Sequence, residues 1–311
     1  MTTPITDQLH SIADYIRYAT SQFTKAQLGF HQGFDAALDE ASFLVLHTLH
    51  LPHDMPPAYA QALLLPEEKA ALMGKIARRL AGEPLAYVTG EAWFAGLAFE
   101  VNPNVLIPRS PIAELIEQGF APWLEDAPAR ILDLCTGSGC IAIALAAHFQ
   151  DARVDAADIS TEAVAVAERN AKAHGVEDRL SAVQSDLFGA LKGRKYDLIV
   201  SNPPYVSEAE MRVLPKEFNH EPALALVSGF DGLDAPLAIL DEAPSYLTPN
   251  GVLVLEVGAS ESALMALLPD FPGEWVDFSR GGSGVAVIRQ KDLKSYRPMI
   301  SRALAQRAED S

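Results

Sequence analysis

The sequence predicts an α/β fold in which a mostly parallel sheet, covered by helices on both faces, follows a helical first third. Three observations carry this. Up to about residue 90 the apolar residues recur at helical spacing. From Arg130 onward short apolar strands alternate with helical segments. Between the two regions the period changes to strict alternation, the mark of a hairpin.

Taken in order, Ile5, Leu9, Ile12, Ile16 and Phe23 form one helical stripe, and Leu38, Phe43, Leu46 and Leu49 a second. A third helix spans residues 66–80 and opens on Pro66-Glu67-Glu68, a helix-starting pattern. Residues 93–101 alternate about Ala95-Gly96 and predict the hairpin. Ser110-Pro111 starts a short helix through Phe120, because proline at a first turn forfeits no hydrogen bond. Strands are predicted at 131–134, 154–157, 180–184, 197–201 and 252–257, and helices at 140–149, 162–174, 237–247 and 260–268. Alternating segments at 275–278 and 285–289 close the sheet. Residues 204–233 have no regular pattern, as functional or mobile loops often do. The expected division is a helical domain over 1–90, a hairpin and linker helix over 91–129, the sheet domain over 130–290, and a charged, partly disordered tail over 291–311.

Composition limits the function. Hydrophobic residues at 49% and charged residues at 21% fit a folded soluble protein, and apolar runs such as 141–147 are too short to cross a bilayer. The first 19 residues contain Asp7 and Asp14 and lack a basic leader, so no secretory signal is expected. Cys135 and Cys140 are the two cysteines, and the eight histidines are scattered, so reduced thiols, no metal site and a cytoplasmic location are expected. The formal charge of -17 suits a basic partner and argues against direct, sequence-specific reading of nucleic acid, though it also serves solubility alone.

The densest chemistry follows the first sheet strand, in Asp133-Leu134-Cys135-Thr136-Gly137-Ser138-Gly139-Cys140. Gly137 and Gly139 let a ligand approach the backbone where a helix start presents free N–H groups. The pattern also satisfies a dinucleotide fingerprint. Asp133 decides between the two, because its carboxylate would repel a pyrophosphate but can accept a hydrogen bond from an ammonium. Zwitterionic S-adenosylmethionine offers that ammonium together with a carboxylate for the turn. Asp158, ending the second strand with Ile159 beside it, can grip both ribose hydroxyls. Asp186 follows the third strand and suits the exocyclic amine of adenine, with Leu187 or Phe188 packing the ring. The cofactor candidates are therefore Asp133, Cys135, Thr136, Gly137, Ser138, Gly139, Asp158, Ile159, Asp186, Leu187 and Asn202.

Asn202-Pro203-Pro204-Tyr205 follows the fourth strand. An amide or aromatic-amine nitrogen is a poor nucleophile because its lone pair is delocalised. The Asn202 side-chain oxygen and the Pro203 carbonyl offer adjacent acceptors for both hydrogens of such an NH2 group, so that its lone pair can rise toward a methyl donor. Proline has no N–H to compete there. Tyr205 is expected to cover one face of the flat substrate group. These four are the candidate catalytic residues, and with Phe94 and Arg109 the candidate substrate contacts.

With these motifs in place, the sequence resembles the bacterial protein-glutamine methyltransferases of the HemK family over nearly its whole length. Arg78–Gly90 in the reading RRLAGEPLAYVTG, Phe94, Leu106-Ile107-Pro108-Arg109, Glu221-Pro222-Ala223-Leu224 and Asp231-Gly232-Leu233 add to the resemblance. It implies a seven-stranded, Rossmann-like S-adenosylmethionine-dependent methyltransferase domain, joined by a β-hairpin to a helical N-terminal domain that selects the protein substrate. Asn202 and Pro203 are then expected to hold a glutamine amide. The release-factor branch reads Pro-Arg-Pro-Glu-Thr-Glu after the hairpin, whereas this chain has Pro108-Arg109-Ser110-Pro111-Ile112-Ala113-Glu114. That reading is similar to the branch acting on large-subunit ribosomal protein three, a basic partner met free or during ribosome assembly. Methylation of release factors, adenine methylation of nucleic acid and a non-catalytic assembly role are the alternatives.

Overall fold

The computed structural model describes residues 5–30, 34 and 36–310. It divides into two compact units, Met1–Glu91 with Pro215–His220, and Ala92–Leu214 with Glu221–Ser311.

The first unit is helical: α1 (Ile12–Lys25), α2 (Ala37–Thr48), α3 (Pro66–Leu80) and α4 (Leu85–Thr89). α1 starts at Ile12 rather than Ile5 because Ser11 and Asp14 close a reciprocal cap: the Asp14 N–H donates to Ser11 Oγ at 3.2 Å and the Ser11 N–H to Asp14 Oδ2 at 3.0 Å. Ile5 falls in a separate 3-10 turn. α3 starts where expected, with Pro66 at its first position and Glu68 accepting the Leu65 N–H at 2.8 Å. Tyr15, Phe23, Leu44, Val45, Leu72 and Ile76 fill the core. Arg79 is also buried there. Its guanidinium pairs with buried Glu40 and donates to the Gly29 carbonyl at 2.7 Å. Glu217, from the segment 215–220 that the sequence leaves in the long loop, accepts the Gly29 N–H at 3.0 Å.

The second unit begins one residue into the hairpin of β1 (Glu91–Phe94) and β2 (Leu97–Glu100) and continues with the short helix α5 (Ile112–Glu117). Then come β3 (Arg130–Leu134), α6 (Cys140–His148), β4 (Arg153–Asp158), α7 (Thr161–Ala173), β5 (Leu180–Gln184) and β6 (Tyr196–Ser201). The chain ends through α8 (Glu208–Met211), α9 (Asp234–Glu242), β7 (Leu247–Glu256), α10 (Glu261–Leu267), β8 (Glu274–Trp275), β9 (Val285–Arg289) and α11 (Gln290–Asp310). The seven-stranded sheet has the order β5-β4-β3-β6-β7-β9-β8, parallel from β5 to β7, with β9 antiparallel to β7 and β8. Successive strand residues bury against opposite layers. Ile131, Val154 and Val200 pack with α5 and α6, and Leu132, Ile199 and Leu253 pack with α9, α10 and α11.

Three expectations are corrected. The helix expected over 237–247 ends at Glu242, and after a short turn over Ala243–Ser245, β7 begins at Leu247, earlier than expected. Pro244 has no N–H to carry the helix on. The strand expected over 275–278 is reduced to Glu274–Trp275. The charged tail is not disordered: through residue 310 it is the helix α11, because Leu293, Ile300 and Ala303 recur on one side and are buried.

Removing one member of a buried ion pair costs about 3–5 kcal/mol when the other is left uncompensated. Without Glu40 the buried Arg79 keeps, as carboxylate partner, the longer contact to Glu217 at 3.9 Å. Glu40→Ala is therefore expected to lower the urea midpoint, read by circular dichroism, far more than removal of an exposed carboxylate such as Asp39. Equal effects would show that the Arg79 pair is not a pillar of the helical unit.

Candidate active site

Strand order in the second unit reverses between β3 and β6, the place where open parallel sheets bind ligands beyond their carboxyl ends. A cavity of about 450 Å³ lies there, lined by the loops after β3, β4, β5 and β6 and by the start of α9. Cys135, Thr136, Gly137, Ser138, Asp158, Ile159, Asp186, Leu187, Asn202, Pro204 and Arg109 all face it. Residues far apart in sequence thus meet around one space. Asp133, Gly139, Pro203, Tyr205 and Phe94 do not line it, each for a definite reason.

Asp133 sits behind the turn. It is fully buried, and its Oδ2 accepts the Thr136 hydroxyl at 2.5 Å and the Ala142 N–H at 3.0 Å. Oδ1 has no partner among the described residues. Burial raises its pKa to about 7, against the two donors. Asp133 therefore shapes the turn from within instead of opening onto the cavity as an ammonium acceptor. Gly137, at φ 56, has open space where a Cβ would stand and gives a ligand access to the backbone. Gly139 serves packing: a Cβ there would lie 3.0 Å from the Ala167 Cβ on α7. Asn170, which no motif signals, fixes the same turn by donating from Nδ2 to the Ser138 carbonyl at 2.9 Å, and it bonds Glu100 of β2 at both its backbone groups.

Asp158 faces the cavity while Oδ2 accepts the Gly137 N–H at 2.8 Å and Oδ1 the Ser160 N–H at 3.0 Å. Burial raises its pKa and these N–H groups oppose the rise. Two oxygens fixed from behind keep lone pairs for a diol in front. Asp186 is exposed at the cavity rim beside Leu187. Of the two side chains proposed to pack a ring, Leu187 lines the cavity. Phe188 is buried in the core, stacked on Tyr246 at 4.4 Å between centroids.

The end of β6, from which the Asn202 loop leaves, is stitched to the end of β3 by the Ser201 hydroxyl, which donates to the Leu134 carbonyl at 2.7 Å. Asn202 and Pro204 open on the cavity, and Pro203 is buried between them. Tyr205 turns away. Its hydroxyl donates to Glu256 Oε1 at 3.0 Å, and its ring fills the space beside Gly258, where a Cβ would stand 2.4 Å from the ring. Burial pushes the Tyr205 hydroxyl pKa up, and Glu256 adds to the shift. These contacts make Tyr205 an anchor for the loop. Glu256, at the end of β7, also accepts the Ser110 hydroxyl at 2.5 Å and is pushed up by burial against both donors and Arg109. Arg109 is held by Glu221, whose Oε1 lies 2.7 Å from Nη1 and whose Oε2 accepts the Ile107 N–H at 3.1 Å. The sequence flags Glu221 only within a motif and Glu256 not at all, because a carboxylate inside an apolar strand has no pattern of its own. Phe94 belongs to the core with Phe99 and Ile112. The cysteines face the cavity, and burial raises both thiols, Cys140 to about 12, which favours their protonated form.

The chain is similar to several known proteins. The family described as Methyltransferase small domain matches residues 118–229, and that described as PrmC N-terminal domain matches residues 14–90. A ribosomal protein uL3 glutamine methyltransferase from Xanthomonas campestris pv. campestris is 50% identical, over 97% of this chain and 98% of that protein. One of the same name from Francisella tularensis subsp. tularensis is 45% identical, over 94% of each. Among solved structures, a methyltransferase from Pyrococcus furiosus is 21% identical, with a TM-score of 0.47 over 70% of this chain and 98% of that one.

Asp133 gives a signed prediction. Its ordinary value of 3.8 rises to about 7 in the folded chain. Between those limits the folded state holds a proton that the unfolded state has released, so its contribution to stability falls as pH rises through the window and stays lost above it. Asp133→Asn does not titrate there. The stability of the variant relative to the parent, from urea unfolding, is expected to improve from about pH 4 to about pH 7. Parallel curves would sink this assignment.

Proposed function

The chain belongs to the family of ribosomal protein uL3 glutamine methyltransferases, and we propose that it transfers the methyl group of S-adenosylmethionine to the side-chain amide nitrogen of a glutamine in uL3. The observation that carries this reading is the convergence on one cavity of Asn202 with the turn 135–138, Asp158 and Asp186.

The residues suit the cofactor on the structure's own terms. Gly137 leaves backbone open at the turn, Asp158 keeps lone pairs toward the cavity, and Asp186 and Leu187 offer a polar and an apolar contact on one wall. When bound, S-adenosylmethionine supplies a sulfonium methyl group that is already electrophilic. Everything else falls to the chain. The turn takes the amino-acid portion, Asp158 the ribose hydroxyls, and Asp186 with Leu187 the base. We assign the two hydrogens of the glutamine amide to the Asn202 carboxamide oxygen, which faces the cavity, and to the carbonyl of Pro203, whose ring is buried but whose peptide joins the cavity-lining Asn202 and Pro204. Together they orient the nitrogen and stabilise positive charge as it develops there. The proton lost afterwards passes from that nitrogen to solvent, and no strong base is needed to begin. Ser201, Tyr205 and Glu256 act one layer back by fixing the peptide that carries both acceptors. Arg109, braced by Glu221, lines the cavity, and we assign it as a contact for the substrate polypeptide. An acidic enzyme charged at -17 draws in a basic ribosomal protein, which raises the encounter rate at low salt.

Labelled S-adenosylmethionine supplied with purified uL3 and, separately, with release factors is the direct test. Label is expected in a uL3 glutamine, and Asn202→Ala is expected to lower turnover about 10²–10³-fold with the fold intact. Label confined to release factors would overturn the substrate, and undiminished turnover in Asn202→Ala would overturn the site.

A further inference from the structure

The last turn of α11 reaches the wall of the cavity. Arg307 Nη1 lies 2.5 Å from Asp231 Oδ2, and Nη2 lies 2.9 Å from Asp231 Oδ1 and 2.6 Å from Asp234 Oδ1. One guanidinium thus grips Asp231 with both nitrogens and Asp234 with a third contact, a geometry for which its planar fork is suited. Asp234 begins α9 and lines the cavity with Ala235 and Ala238. It is hemmed in on its other side, since a Cβ on Gly229 would stand 2.1 Å from Asp234 Oδ2.

Asp231 leads to the transfer loop. The Ser260 hydroxyl donates to the Tyr205 carbonyl at 2.7 Å and lies 3.3 Å from the Asp231 carbonyl. Gly232, at φ 82, is pressed so closely against that peptide that a Cβ would meet the Tyr205 carbonyl oxygen at 2.1 Å. A displacement of Asp231 therefore moves the peptide three residues after Asn202, because close-packed backbone has no slack to absorb it. Arg307 is itself well founded. Leu293 and Ile300 of α11 are fully buried, and Arg297 pairs with Asp241 at 3.2 Å.

Resting on the reading of this cavity as the cofactor and amide site, we propose that Arg307 is a positioning residue for methyl transfer, holding the Asp231–Asp234 wall and through it the Asn202–Tyr205 loop. Without it, two carboxylates three residues apart repel each other beside the cavity in a chain already charged at -17. The side chains are partly exposed, 24% for Arg307, 30% for Asp231 and 61% for Asp234, so the pair matters little to global stability. That separates a positioning role from a merely structural one.

The test compares the full-length parent with Arg307→Ala and Arg307→Lys. Affinity for S-adenosylmethionine is measured by calorimetry without protein substrate, kcat and KM on the protein that takes up label, and stability by urea unfolding. Arg307→Ala is expected to weaken cofactor binding and lower kcat, each about tenfold, with an unchanged urea midpoint. Arg307→Lys, which keeps the charge but loses the fork, is expected to recover part of both. Parental cofactor affinity and kcat in Arg307→Ala would overturn the proposal, as would a loss that tracks unfolding and is not relieved by lysine. The calorimetric arm does not depend on uL3 being the substrate, so failure of that assignment would be seen separately.

Discussion

The pairing of β3 with β6 governs this molecule. These strands lie side by side in parallel, with Leu134 opposite Ser201, although β4 and β5 intervene in sequence. Their carboxyl ends carry two segments that line the cavity, the Gly-rich turn and the Asn202 loop, and the Ser201 hydroxyl bonds one strand end to the other. Parallel strands need crossover connections, and the crossovers here supply the helices that bury both faces of the sheet. The sheet is rigid because its core is dense, so the two loops inherit a fixed separation from it.

Electrostatics add a second constraint. Asp158, Asp186 and Asp234 line the cavity, Asp133 and Glu256 stand behind it, and Arg109 is the one cationic side chain among the described residues lining it. Arg109 is itself engaged by Glu221. Burying carboxylates is costly, and the cost is offset locally: Asp133 by Thr136 and the Ala142 N–H, Asp158 by two backbone N–H groups, Glu256 by two hydroxyls. An acid-rich pocket of this kind favours a cation, and a sulfonium is a cation that loses its charge as its methyl group departs. The same donors that tolerate the carboxylates also tie loops together, so the charge of the pocket and its shape have one origin.

Much of the site was legible because its residues sit where strands end. Asp158, Asp186 and Asn202 each terminate or follow an apolar run, and the sequence alone places them on one edge of a parallel sheet. Roles were less legible than places. Asp133 and Asp158 look alike in sequence, yet one backs the turn and the other faces the cavity, because a side chain's direction depends on the pleat and on which donors lie nearby. Gly139 resembles Gly137, but its small size answers to Ala167, a residue on another helix. Tyr205 has the composition of a substrate cover and the position of an anchor, since Gly258 and Glu256 receive it. The tail shows the reverse: its charges suggest disorder, while Leu293, Ile300 and Ala303 dock it as a helix.

By itself, then, the sequence determined what depends on neighbours along the chain: the alternation of strands and helices, the Gly-rich turn, the acids at strand ends, and Asn202 with its prolines. Period and local hydrogen bonding are written in consecutive residues. Only the tertiary structure decided the partners of Arg109, Tyr205, Glu256 and Arg307, which lie tens to more than a hundred positions away. A hydrogen bond between distant segments leaves no periodic trace, and whether a polar group faces a ligand or supports one is settled by what packs behind it.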